Sequence, residues 1–492
     1  MASGLNNCTI DLTERCNLAC DYCFTWHQNN NMVTKDLSEE MGIKIIDKFI
    51  ELGDKGSKRT ISWWGGEPLI KYKLLQKLVY YTEEKAKQEN FNVEFGGTTN
   101  GLLYTPDRLE WLVEHKSAML ISIDGVQPAH DLHRKTPDGK GSWHLVDKNL
   151  REAKKIFPQQ RVRSSISVDT LPWFFETIQY LVEDIGIDDL AYSPVYEGTF
   201  TQKDWELLEE QLDLIVNYQI KRHLEGNPII IKHLNDEARI NGQLQSVQNP
   251  CGAGNHYCSW TIDGYCFPCH RFNKHNQTTE DRKNKGIAIA SIYDESFINT
   301  DWRDSFVNFF QSTENKCSDC KLYRRSTCKG GCYAVNYDLT GSLYDHDDRV
   351  CTFAKYQHEA GLKLATLATE NNIKLLKTTW GGDNSPKVKK DQQDNPCVCY
   401  NMCYSEGTQE EISHIDKNTE TQCLCYMTTY AGDPKPQHRT SQAMQEEKRM
   451  LSRFLNLSLD IIESKDIEKD EKTKGLEKEV LEKTIWLVKK SL

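Results

Sequence analysis

Six short apolar runs alternate with amphipathic stretches through the first half of the chain, and that alternation leaves few folds open. The strand-like runs lie at 8–12, 59–64, 93–99, 118–124, 162–168 and 190–195. Helical patterns fill the gaps, at 38–52, 74–88, 107–114, 143–156, 172–185 and from 202 to about 224. In the first of these Ser38 is placed to cap, Glu39 and Glu40 fall in the first turn, Met41, Ile45, Phe49 and Leu52 share a face, and Gly53 ends the pattern. Six βα units in a row imply an α/β fold, a parallel sheet with helices outside. Such sheets carry their chemistry at the carboxyl ends of the strands.

Just after the first run come three cysteines, in Cys16-Asn-Leu-Ala-Cys20-Asp-Tyr-Cys23. Three thiolates can hold three irons of a cubane iron–sulfur cluster and leave the fourth iron open. An open metal position can bind and activate a small molecule, whereas a cluster that only carries electrons normally has a cysteine on every iron. A zinc knuckle, or three unrelated core cysteines, would use the same residues. Other candidates fall at the same edge of the sheet: Gly65-Gly66-Glu67-Pro68 after the second strand, Asn100 after the third, Ser122 and Asp124 at the end of the fourth, and Ser167 at the end of the fifth. Two glycines let a ligand approach the backbone, Glu67 offers an acceptor for an ammonium, and Ser122 with Asp124 places a hydroxyl and a carboxylate where a ribose could be held. Each element alone would be a turn; at successive strand ends they reinforce one another. The stretch His130-Asp-Leu-His133-Arg134 reads as a solvated turn.

The Cys-x3-Cys-x2-Cys spacing, with Tyr22 before the last cysteine, resembles the signature of the radical S-adenosylmethionine (radical SAM) enzymes. The resemblance implies a partial (β/α)6 barrel of TIM type, and a [4Fe–4S] cluster on Cys16, Cys20 and Cys23 whose open iron chelates SAM. Reductive cleavage of SAM to a 5′-deoxyadenosyl radical follows in that family. By the same resemblance Gly65, Gly66 and Glu67 meet the amino group of SAM, Ser122 and Asp124 hold the ribose, Asn100 and Ser167 lie nearby, and Arg134 is an active-site contact.

A second field of cysteines follows: Cys251, Cys258 and Gly264-x4-Cys269, then Cys317-x2-Cys320-x7-Cys328-x3-Cys332, and Cys351. Eight thiolates suffice for two four-iron clusters or for two four-cysteine zinc sites, and spacing alone does not separate these. The pattern resembles the SPASM domain, the auxiliary-cluster module of radical SAM enzymes that act on peptides and proteins. Motif order then assigns Cys251, Cys258, Cys269 and Cys332 to the inner cluster, and Cys317, Cys320, Cys328 and Cys351 to the outer one. The seven-residue gap before Cys328 is two longer than the family's usual five, and a loop around Arg324-Arg325-Ser326 is expected to absorb it. Cys8 and Cys266 match no motif position and read as small buried hydrophobes. After Cys269 stands His270, where sulfatase-maturing members carry Asp; His resembles the thioether-forming maturases and could accept a proton.

The expected activity is a peptide or protein maturase with three [4Fe–4S] clusters and SAM, forming a thioether or carbon–carbon crosslink. The alternatives are a formylglycine-generating sulfatase maturase and a non-catalytic iron–sulfur or zinc scaffold. The rest of the chain fits an anaerobic, cytoplasmic setting. Its 492 residues carry a net charge of −11, which suggests no nucleic-acid footprint, and no secretory segment or membrane-length apolar run is visible. Eighteen cysteines in such a chain argue for metal ligation over disulfides. The expected domains are 1–230 (barrel), 231–375 (SPASM) and 376–492, with no leader-binding module ahead of the first strand. The last segment holds a linker, then Cys397, Cys399, Cys403, Cys423 and Cys425, then two amphipathic helices. Its cysteines could bind a further metal, form a fused substrate, or be free thiols of a loose tail. Expected partners are a peptide or protein substrate and an electron donor such as flavodoxin or ferredoxin.

Overall fold

Each of the six apolar runs forms a strand in the computed structural model, which describes residues 4–25, 34–245, 249, 251–275, 278, 280, 281, 286–312 and 314–377. β1 (Asn7–Asp11), β2 (Arg59–Trp64), β3 (Val93–Thr99), β4 (Leu120–Ser122), β5 (Val162–Ile166) and β6 (Asp189–Pro194) pair in that order, all parallel. The short β7 (Ile230–Ile231) extends the sheet beyond β6. On the opposite flank β8 (Tyr257–Trp260) pairs in parallel with β1, and β9 (Tyr265–Phe267) and β10 (Ala290–Ser291) continue in antiparallel fashion. All ten strands form one sheet, in the order β10-β9-β8-β1-β2-β3-β4-β5-β6-β7. The expected α/β class and parallel sheet are present, and the sheet runs on into the Cys-rich segment. The expected C-terminal linker, Cys-x-Cys repeats and helices lie outside the described residues.

Between the strands run α1 (Glu39–Glu51), α2 (Tyr72–Glu89), α3 (Pro106–Glu114), α4 (Gln127–His133), α5 (Trp143–Ile156), α6 (Phe174–Gln179), α7 (Gln202–Leu224) and α8 (Lys232–Ile240). Ser38 caps α1, accepting from the Met41 N–H at 3.1 Å. The helix expected at 172–185 is broken: a 3-10 segment, Val168–Trp173, holds Pro172, the α-helical part is only α6, and a π-type turn, Tyr180–Asp184, ends it. Proline cannot donate to the helical ladder, and the chain tightens around it. A long helix, Asp348–Glu370, packs on α7 and α8. It closes on α8 at Gly361, where a Cβ would stand 2.2 Å from the Glu237 Cβ.

Strand alternation sorts β1 into two faces. Cys8, Ile10 and Leu12 enter the main core with α1 and α2 residues such as Ile45, Phe49 and Leu78. Thr9 and Asp11 turn to the other face, among polar partners. A second, aromatic core surrounds the Cys-rich segment, built on Phe267, Phe272, Phe306, Phe309 and Tyr333. No helix among the described residues is long and apolar enough to cross a membrane.

Candidate functional site

The loop that carries Cys16, Cys20 and Cys23 leaves the carboxyl end of β1 already pinned to the end of β2. Leu12 N–H donates to the Trp64 carbonyl at 3.0 Å, Gly66 N–H to that of Thr13 at 2.8 Å, and Glu67 N–H to that of Arg15 at 2.9 Å. The two glycines serve this contact. A Cβ on Gly65 would stand 2.3 Å from the Thr13 oxygen, and one on Gly66 2.2 Å from the Arg15 oxygen; Gly65 also has φ +126°. The backbone that approaches them closely is the cysteine loop itself, where the sequence suggests a ligand. Gly66→Ala is therefore expected to displace the loop and to destabilise the fold by roughly 0.5–3 kcal/mol. Thermal melts and iron analysis of the anaerobically purified variant check this.

The three thiols are free and half-buried. Burial first, then the Glu67 carboxylate, pushes Cys16 up to about 12; the Leu18 N–H opposes, and Cys20 and Cys23 add to the rise. Burial pushes Cys20 up to about 11 against the pull of Arg134, with Cys23 again adding. Iron binds thiolates, so a cluster entering here displaces these protons. Hydrogen-bonding partners for the sulfurs are in place: Leu18 N–H at 3.4 Å and Asn100 Nδ2 at 3.7 Å on Cys16 Sγ, and Thr25 Oγ1 at 3.1 Å from Cys23 Sγ. Among the described residues no group of three or more His, Cys, Asp or Glu side chains is arranged to hold a single metal ion. Cys16 senses Cys20 and Cys23, so three half-buried thiols of one loop lie together.

Glu67 is buried and bonded within the protein. Its carboxylate accepts from Leu69 N–H (3.0 Å), Thr99 Oγ1 (2.9 Å) and Asn100 N–H (2.8 Å). Burial nevertheless pushes it up to about 7, against the pull of these donors. Glu67 thus locks the end of β3 to the end of β2. It also aims Asn100, whose amide donates to Asn17 at 2.7 Å and reaches Cys16.

The His130–Arg134 segment is no solvated turn. Its first four residues belong to α4, and His130, His133 and Arg134 are all buried. Arg134 Nε donates to Asp124 at 2.8 Å, and Asp124 accepts as well from the Tyr22 hydroxyl (2.5 Å) and the Ser165 N–H (2.7 Å). Burial raises this carboxyl, but Arg134 and its other partners outweigh that and hold it below the usual range. Arg134 also lies 5.5 Å over the Tyr22 ring. His133 bonds Asp21 through Nδ1 (2.8 Å) and Ser167 Oγ through Nε2 (2.7 Å). Ala19 N–H donates to the Lys135 carbonyl at 2.7 Å. Residues 19–22 are therefore gripped by α4 and the chain just after it. Asp124, expected with Ser122 at the SAM ribose, and Ser167, expected nearby, spend their side chains on this grip, while Ser122 is buried at the end of β4.

The later cysteines sort into sets. Burial pushes Cys317 up to about 12, helped by Cys328, Cys351 and Cys320 in turn; burial pushes Cys351 up to about 12, helped by Cys328 and Cys320. These four thiols sense one another. The long gap before Cys328 curls around buried Ser326, whose hydroxyl donates to the Leu322 carbonyl (2.9 Å) and accepts from Cys328 N–H (3.0 Å). Thr327 beside it is tied to Glu237 through its N–H (2.7 Å) and its hydroxyl. Cys269 is pushed up to about 12 by burial and then by Cys332, and Tyr333 feels both Cys251 and Cys332. Cys258 departs from its expected set. It stands opposite Cys8 in the β1–β8 register, its thiol bears on Cys266, and all three are sealed in the main core.

His270 is buried against Trp64, Phe24 and Tyr257, with ring centroids 4.6, 5.7 and 6.3 Å away. Burial first, then Arg163, Arg271 and Lys274, pulls its pKa down to about 3. Its Nδ1 meets the Tyr257 hydroxyl at 2.8 Å, and a hydrogen-bonded row continues through Thr9, Ser259 and Asn273 to Asp11 and His275. Among the described residues, Asp11 Oδ1, Asn273 Oδ1 and His275 Nδ1 of this buried row have no protein partner. Of this row, sequence reading singled out His270 alone. The one signal available was that Thr9 and Asp11 break the apolar run of β1 on alternate positions.

Residues 10–185 match the model of the Radical SAM superfamily. The chain is 23% identical over 342 residues to a cysteine-type anaerobic sulfatase-maturating enzyme of Clostridium novyi (strain NT), covering 65% of this chain and 85% of that one. It is 25% identical over 365 residues to the radical SAM cyclopropyl synthase TigE of Paramaledivibacter caminithermalis, covering 70% and 71%. In fold it is similar to native anSMEcpe with bound AdoMet, with a TM-score of 0.59 at 20% identity over 75% of this chain and 100% of that one. The same protein with AdoMet and the Cp18Cys peptide gives 0.58 at 19% identity, over 74% and 99%.

Proposed function

We propose, from the premise that residues 10–185 of this chain are a radical SAM domain, that the enzyme matures a peptide or protein by installing a thioether or carbon–carbon crosslink. The observation that carries the reading is the clamped, half-exposed triplet Cys16, Cys20 and Cys23 at the carboxyl end of β1. A cluster bound there would supply the electron that cleaves SAM, yielding the radical that takes a hydrogen from the substrate. The chain's own residues fix the geometry. Tyr22 and Asp21 hold the loop to Arg134 and His133, the Gly65–Gly66 main chain backs it, and Glu67 with Asn100 closes its side. Glu67, Asp124 and Ser167 act in this reading as scaffold for the SAM pocket, and Asn100, whose amide touches Cys16, as a direct neighbour of the bound cofactor.

The two later thiol sets would carry auxiliary clusters, in a SPASM-type region after about residue 230, and an external electron donor would reduce the enzyme. A peptide substrate is supported by the solved anSMEcpe structure, which holds one. Formylglycine formation is the second reading, supported by similarity to the sulfatase-maturating enzyme of C. novyi. His270 in place of an acid favours the crosslink.

Anaerobic incubation with SAM and dithionite should yield 5′-deoxyadenosine. With a Cys-containing peptide present, crosslinking removes about two hydrogens per bond formed, whereas formylglycine formation also replaces sulfur by oxygen. Peptide mass spectrometry reads the difference. Sulfur loss would overturn the crosslink in favour of the second reading.

A further inference from the structure

One residue of the Cys-rich segment holds both ends of the first cysteine loop. Asp11 closes β1, and its Oδ2 meets Nε2 of His275, 264 residues further along the chain, at 3.2 Å. A carboxylate only accepts, so Nε2 carries the proton. Thr25 lies two residues beyond Cys23, and its carbonyl accepts from the His275 N–H at 3.1 Å. The Thr25 hydroxyl in turn stands 3.1 Å from Cys23 Sγ. Cys16, Cys20 and Cys23 all lie between these two points. Local structure puts His275 in place. After Cys269 the chain turns tightly, through a 3-10 segment, His270–Phe272, and then through bonds from Asn273 N–H to the His270 carbonyl (3.1 Å) and from Lys274 N–H to that of Phe272 (3.0 Å). Asn273 Nδ2 joins His275 on Asp11 Oδ2, at 3.0 Å. Asp11 is 1% exposed and its Oδ1 has no partner among the described residues, so the carboxylate relies on these two donors. Arg271 lies 4.6 Å over the Phe24 ring and Lys274 6.0 Å over it. Where α4 grips residues 19–22, the 270–275 segment grips Phe24 and Thr25.

We infer that His275 is a positioning residue for the cluster on Cys16, Cys20 and Cys23: through Asp11 and Thr25 it fixes the entry and the exit of their loop, and with them the orientation of the cluster toward SAM. This rests on the reading that the three thiols bind a cluster. His275 supplies no ligand and moves no proton; it acts on geometry alone. Geometry is enough to act on rate, since a misplacement of about 1 Å at a distance from the chemistry can cost about 100-fold.

The test uses the full chain, purified anaerobically. His275→Leu fills the buried site and removes the donor to Asp11, whereas His275→Gln restores an N–H near the place of Nε2. The Leu variant should hold its iron but form 5′-deoxyadenosine up to about 100-fold more slowly per bound cluster. It should also alter the change that SAM makes in the EPR spectrum of the reduced protein, because only a cluster with an open iron answers to SAM. The Gln variant should recover most of both. A merely structural role would lower the melting temperature and the iron content together, and leave turnover per cluster and the SAM-induced change as in the wild type. That result overturns the inference, and so does a Gln variant no better than Leu.

If His275→Leu does not fold, hydrogen exchange of the wild type decides instead. Coupling between two sites is reciprocal, so a clamp that orients the cluster for SAM is itself tightened when SAM binds. Saturating SAM should slow amide exchange in the peptide that holds His275, and exchange that SAM leaves unmoved overturns the inference. Equal iron in the wild type and in the Cys16, Cys20 and Cys23 to Ala variant would instead defeat the underlying assignment of the cluster, a result distinct from any of these.

Discussion

Replacing Cys16, Cys20 and Cys23 together with Ala is expected to remove about four irons and all formation of 5′-deoxyadenosine, because one cluster depends on these thiols alone. The protein itself should persist. The three side chains are half-exposed, and the anchors of their loop are other residues: Tyr22 on Asp124, Asp21 on His133, and the Ala19 N–H on Lys135. A contrasting variant sharpens the result. Cys320 is exposed and belongs with Cys317, Cys328 and Cys351, away from this loop. Cys320→Ala should therefore still cleave SAM, while losing the ability to complete product. Chromatography of nucleoside products and iron analysis on the same preparations read both effects, and a triple variant that still cleaved SAM would refute the site.

The second large effect is expected from Arg134→Ala. The guanidinium is almost fully buried, and Asp124, 1% exposed, relies on it. Breaking a buried pair by removing one member strands the other charge and costs about 3–5 kcal/mol. The loss should appear as a lowered melting temperature together with poor iron retention, since Tyr22 loses both the cation over its ring and a well-placed Asp124.

Its pH dependence has a definite sign. In the wild type the Asp124 carboxyl lies below its ordinary value, so its contribution is present above about pH 4 and fades only as pH falls below that. Without Arg134, burial pushes the carboxyl upward, and the penalty grows as pH rises through and above about 4. The deficit of the variant should thus shrink as pH is lowered from 8 toward about 4. A deficit that is flat over that range would mean Asp124 finds another counter-charge. Arg134→Lys should recover only part of the loss, because an ammonium lacks the planar fork and stacks poorly on Tyr22.

What could be read in advance was local. The capping of α1 by Ser38, the ends of β2 and β3, and the span of α5 follow from signals within a few residues of each element. Pro172 was a local signal too, and it marks where the expected helix breaks. The losses are tertiary. His130, His133 and Arg134 look like surface residues until their partners are known, and those partners come from Ser142, Asp21, Ser167 and Asp124, four separate places in the chain. Cys258 keeps a ligand-like distance from Cys251 in sequence, but which face it uses depends on pairing with β1. Asp11 is marked only by its break in the apolar run of β1, which does not point to Asn273 and His275 as its partners.

The placement of β8 beside β1 also has a consequence for how the protein comes into being. Thr9 and Ser259, partners across that pairing, are 250 residues apart. At about 5–20 residues per second of synthesis, β1 would wait on the order of tens of seconds on the ribosome with one side unpaired. An unpaired strand edge is a template for wrong partners, and contacts of such long range close slowly. Residues 7–11 carry the cysteine loop, so the loop stays attached to an unfinished sheet until the Cys-rich segment has emerged. A chain cut shortly before Tyr257 should therefore not give a smaller working barrel: it should expose β1, leave Thr9 and Asp11 facing a vacant flank, and aggregate.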